Sequence, residues 1–175
     1  MQELIFDILK IAIPGLIIYV TVDSLLRRHF QNEAGIRATK AKEDQRGTLL
    51  PIQLQAYERL MLYLERIAPE NLFPRLHEAG IPVGALHMQV IASIQQEFEH
   101  NLSQKLYVTE DAWKATLQAK EDMTAMYQAA FKKMPQTGGV ADYIQETQNL
   151  MEEFGVHPTQ LAALVLKDQL NGLFR

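Results

Sequence analysis

The chain has 175 residues, 22% charged and 47% apolar, with no cysteine and a formal net charge of −4. The absence of cysteine excludes a disulfide framework and thiol catalysis, and it agrees with a reducing compartment. Charge is divided by position, net −5 from Pro51 to Arg175 against net +1 from Met1 to Leu50, and an acidic body argues against a phosphate-neutralising nucleic-acid surface.

The first element is Leu4 to Leu26, LIFDILKIAIPGLIIYVTVDSLL, with Arg27 and Arg28 directly after it. A membrane span needs about 20 mostly apolar residues, so residues 1–26 are expected to form a membrane anchor helix. Its lipid-facing core is Ile11, Ile13, Leu16, Ile17, Ile18, Tyr19 and Val20. Asp7, Lys10 and Asp23 lie near the ends, where they can serve with Arg27 and Arg28 as interfacial charges, and Asp7 and Lys10 can pair at i,i+3. Pro14-Gly15 predicts a kink. Met1-Gln2-Glu3 is not the basic start of a signal peptide, and no small-x-small cleavage site follows. Only Lys10 precedes the core, whereas Arg27, Arg28, Arg37, Lys40, Lys42 and Arg46 follow it. The positive-inside rule therefore places the amino terminus outside and the body in the cytoplasm.

Residues 27–50 form a basic polar segment in which Phe30 and Ile36 are isolated. The Ala, Lys, Glu, Gln and Arg content favours a solvated helical stalk reaching Gly47, with a flexible linker weakened at Gly35 as the alternative. Its charges sit where anionic lipid head groups would be.

Residues 51–175 are expected to form a cytoplasmic bundle of four or five helices, so the fold class is all-α: an amino-terminal transmembrane and stalk helix followed by the bundle. The first helix, Pro51 to Ile67, carries Leu54, Tyr57, Met61, Leu64 and Ala68 at alternating spacings of three and four, with Leu60 and Ile67 widening the stripe. Pro69 ends it, and a short turn around Leu72 to Glu78 precedes Gly80 and Pro82. A second helix is predicted over Pro82 to Leu106 with Val83, Leu86, Val90, Ile94, Phe98, Leu102 and Leu106 inside. Thr109 caps a third, whose stripe is Trp113, Leu117, Met123, Tyr127, Ala130 and Met134. A fourth covers Val140 to Phe154 with Val140, Ile144, Thr147, Met151 and Phe154 inside, and after Gly155 a fifth covers Pro158 to Phe174.

Candidates for chemistry are few. Glu97-x-x-His100 has the spacing of one half of a di-iron carboxylate site, but no second copy exists. Glu97, His100 and Asn101 are instead expected to form a polar cluster that fixes the second helix to a neighbour. His77-Glu78 lacks the second histidine of a zinc-protease helix, because Ile81 stands there. His87 borders the apolar stripe as a half-buried, hydrogen-bonded imidazole, and His157 opens a helix. Ser24, Ser93 and Ser103 have no nucleophile elbow, and Gly138-Gly139 is too short for a phosphate loop. No catalytic residue, metal or cofactor is expected, and the chain is not expected to be an enzyme.

The last helix is apolar on more than one face, so it is expected either to be central in its own bundle or to be covered by a partner, which makes Leu161, Leu164, Val165, Leu166, Leu170 and Phe174 candidates for association. The runs LQAYERLMLYLERI (Leu54 to Ile67) and QEFEHNLSQKLYVTEDAW (Gln96 to Trp113) resemble those of an uncharacterised Bacteroidota family, small proteins with an amino-terminal span and a helical cytoplasmic body. That resemblance implies a bacterial inner-membrane setting and assigns no activity. The expected function is a scaffold, adaptor or accessory subunit of an inner-membrane complex. Its partners would be other subunits of the complex or a second copy in a homo-oligomer, with membrane lipid and without nucleic acid. The alternative is an ion- or energy-coupling subunit that uses Asp7, Lys10 or Asp23.

Overall fold

The computed structural model describes residues 23–25 and 47–174. The chain divides into two compact units, Met1–Leu49 and Leu50–Arg175. In the first, residues 23–25 and 47–49 are helical. Asp7, Lys10, Ile11, Ile13, Leu16, Ile17, Ile18, Tyr19, Val20, Arg27 and Arg28 lie outside the described residues. Among the described residues no helix is long and apolar enough to cross a membrane.

The second unit is all-α, and no strand occurs among the described residues. Among its described residues six α-helices and one 3-10 helix follow in order: α1 (residues 50–67), α2 (Pro69–Leu76), α3 (Val83–His100), the 3-10 turn Leu102–Leu106, α4 (Glu110–Lys133), α5 (Val140–Phe154) and α6 (Pro158–Gly172). The α4 helix is central and packs against α3, α5 and α6. One core joins Tyr57, Leu60, Leu64 and Ile67 of α1 to Leu86, Val90 and Ile94 of α3, Met123 and Tyr127 of α4, Tyr143 of α5 and Leu166 of α6.

Three boundaries differ from the sequence expectation. Residues 47–50 are already helical ahead of Pro51. Pro69 not only ends α1 but also opens α2 at its first position, where a missing N–H costs nothing. The helix expected to reach Leu106 stops at His100. There the Asn101 side chain donates to the Glu97 carbonyl at 2.7 Å, offering the backbone an alternative to a further α-turn. The chain tightens into i,i+3 bonds, Gln104 N–H to Asn101 O and Tyr107 N–H to Gln104 O. Leu102 and Leu106 consequently leave the stripe and are exposed.

Side chains satisfy several helix ends, whereas α2, α3 and α6 start without a side-chain cap. Thr109 caps α4, its Oγ1 accepting from Ala112 N–H, while the Tyr57 hydroxyl bonds both Thr109 N–H (3.2 Å) and Thr109 Oγ1 (3.3 Å). Asp142 accepts from Gly139 N–H at 2.8 Å to start α5. Gly155, at φ 68°, ends α5 in the left-handed conformation that glycine tolerates. At the end of α1 the carbonyls of Glu65, Arg66 and Ile67 accept from Asn71 Nδ2 (2.9 Å), Arg75 Nη2 (3.4 Å) and the Tyr127 hydroxyl (2.8 Å).

Candidate functional site

The α6 helix has two apolar faces. Thr159, Ala162 and Leu166 are buried, and Leu170 and Leu173 lean on the same core. At about 100° per residue, Leu161, Leu164 and Val165 fall on the opposite face, where Leu161 is 51% and Leu164 63% exposed and Val165 is half-buried. Phe174 is exposed as well. Of the association candidates, then, Leu166 belongs to the core and Leu170 to its margin. Phe154, expected inside α5, is 67% exposed because the helix ends beside it at Gly155, and Val156 in the following turn is exposed too. Tyr143 and Leu150 take the inward positions on α5 that the expected stripe did not include.

The polar cluster is rearranged. Glu97 Oε1 lies 3.0 Å from Arg66 Nε and 3.7 Å from Arg75 Nη1, so one carboxylate on α3 holds cations from α1 and α2. Arg75 Nη2 also donates to Ser93 Oγ at 3.2 Å. Asn101 joins Glu97 only through the backbone, and His100 is exposed. Position i+3 places His100 beside Glu97 on the helix, yet the two arginines approach from the side where α1 and α2 pack. Asp23 is helical and half-buried. No group of three or more His, Cys, Asp or Glu side chains able to hold a metal occurs among the described residues.

Next to Glu97, the Tyr63 hydroxyl is buried without a hydrogen-bond partner. Burial, followed by the Glu97 charge, pushes its pKa well above the ordinary value. His87 stacks on Phe131, ring centroids 4.2 Å apart, and its Nδ1 lies 2.9 Å from the Tyr143 hydroxyl. The same hydroxyl also reaches the Tyr127 carbonyl at 3.4 Å.

Burial lowers the His87 pKa. The folded protein keeps His87 neutral where the unfolded chain binds a proton. Its contribution to stability is therefore intact above an unfolded value of about 6.5 and is lost as pH falls below it. Thermal melts of the parent should fall more steeply than those of His87→Gln between about pH 7 and pH 5. Parallel curves would show that the imidazole does not carry this dependence.

A cleft of about 700 Å³ opens between α2 and α5. Its floor is Phe73, Ile144 and Met151, of which Phe73 and Met151 are buried, and Pro69 and Pro74 stiffen the α2 side. Glu70, Glu152, Gln148, His77 and His157 complete the lining. His157 Nε2 stands 3.8 Å from Glu70 Oε1. The sequence reading missed this cleft, since α2 and α5 are separated by more than sixty residues and no motif spans them. The one local signal was Pro69-x4-Pro74.

A family profile matches residues 3–173, nearly the whole chain. The chain belongs to DUF7935, a family of unknown function. Both runs that carry the sequence resemblance, Leu54 to Ile67 and Gln96 to Trp113, lie inside the matched span. No curated protein and no solved structure matches.

Proposed function

We propose that this DUF7935 protein is a membrane-anchored helical scaffold or accessory subunit of a bacterial inner-membrane complex, with no catalysis of its own. The observation that carries the reading is the second apolar face of α6, where Leu161 and Leu164 stand exposed opposite the Ala162–Leu166 core face. Large apolar side chains gathered on one exposed helix face favour cover by a partner. The anchoring part of the reading is supported by the apolar run Leu4 to Leu26 and by the basic residues after it, the pattern expected of a span with its carboxyl side in the cytoplasm.

The test is extraction of the full chain from native membranes in mild detergent, followed by sizing and mass spectrometry. The expected result is a fixed stoichiometric assembly, with another subunit or with further copies, that Leu161→Ser/Leu164→Ser dissociates at unchanged thermal stability. A monomer in both cases, or an assembly indifferent to the double change, would overturn the reading. Asp7→Asn and Asp23→Asn separate it from a coupling subunit, which would assemble normally but lose ion movement.

A further inference from the structure

The α2–α5 cleft is chemically one-sided. Its lining contains no lysine or arginine, while Glu70 and Glu152 stand at its edge above the apolar floor of Phe73, Ile144 and Met151. The cations on neighbouring turns are engaged elsewhere: Arg75 with Glu97, and Lys133 with Glu146 and Glu153. Among the described residues neither Glu70 nor Glu152 pairs with a lysine or arginine, and the only charged-group contact of Glu70 is His157 at 3.8 Å. A concavity of this size, mostly apolar with a few convergent polar groups, suits a ligand of small-molecule dimensions. A ligand bringing donors and positive charge would meet two carboxylates, whereas an anion would face those carboxylates with no lysine or arginine in the lining, only the imidazoles of His77 and His157.

We propose that this cleft binds a small organic cation, a primary amine or guanidinium on an apolar body. The charge would sit at Glu70 and Glu152 and the body on Phe73, Ile144 and Met151. This site is separate from the exposed face of α6 and does not depend on the scaffold reading.

The experiment follows isoleucine and methionine methyl signals of the full-length chain in nanodiscs during titration with three probes of one shape: phenethylammonium, 2-phenylethanol and phenylacetate. Phenethylammonium should shift Ile144 and Met151 saturably, 2-phenylethanol more weakly, and phenylacetate not at all. Each of Glu70→Gln and Glu152→Gln, both isosteric and exposed, should weaken the ammonium by roughly fivefold and leave the alcohol unchanged. Added salt should weaken the ammonium alone. Equal response to all three probes, no response at Ile144 and Met151, or an ammonium affinity indifferent to both glutamine variants at unchanged melting temperature would each overturn the proposal. None of these outcomes bears on whether Leu161→Ser/Leu164→Ser dissociates an assembly.

Discussion

Leu166→Ala should destabilise the helical unit by about 2–5 kcal/mol, whereas Leu164→Ala, two residues away, should leave its stability nearly unchanged. Leu166 is 1% exposed and joins the core. Truncation there removes apolar contact and leaves a cavity that surrounding helices close only in part. Leu164 already faces solvent, so its loss removes little burial in the isolated chain. If α6 is covered by a partner, Leu164→Ala instead weakens association. Chemical denaturation of both variants, set beside sizing in mild detergent, checks the pair. Similar destabilisation by the two would mean that both faces of α6 are buried within the unit.

Tyr127→Phe should cost roughly 1–3 kcal/mol, and the same atom deleted by Tyr63→Phe should be neutral or stabilising. The Tyr127 hydroxyl is buried and donates to the Ile67 carbonyl at 2.8 Å. No backbone N–H takes its place, because the amides of Asn71 and Leu72 both turn to the Ala68 carbonyl. Phenylalanine therefore strands a buried acceptor. At Tyr63 the hydroxyl has no partner to lose, and its removal relieves an uncompensated desolvation beside Glu97. Urea midpoints of the two variants should move in opposite directions or only the first should fall.

Much of the architecture was legible because periodicity and punctuation agreed. In α3 the spacing of Leu86, Val90, Ile94 and Phe98 marks the buried face, and Thr109 with Glu110 and Asp111 marks the start of α4. The misreadings arose where a local side chain competes with the pattern. Asn101 breaks α3 although Leu102 and Leu106 continue its apolar spacing, and Phe154 satisfies the period of α5 but is its last residue and stays exposed. The apolar excess on α6 was visible in LAALVLKDQLNGLF, yet composition could not divide it into the Leu166 face and the Leu164 face. Only the packing of α6 against α4 does so. The Glu97 pair was read along its own helix, while its partners Arg66 and Arg75 come from two others. The cleft is a property of packed surfaces, so no single segment announces it.

A helix end usually peels into water at small cost, since its last carbonyls exchange one partner for another. The end of α1 is fastened differently, with Asn71 and Arg75 of α2 gripping two carbonyls from outside and Tyr127 of α4 gripping the third from within. A pull along α1 would thus pass straight into α4 through Tyr127 instead of travelling around the chain. The corner between α1 and α2 works as a clamp, and a load on α1 would be shared at once by α2 and α4.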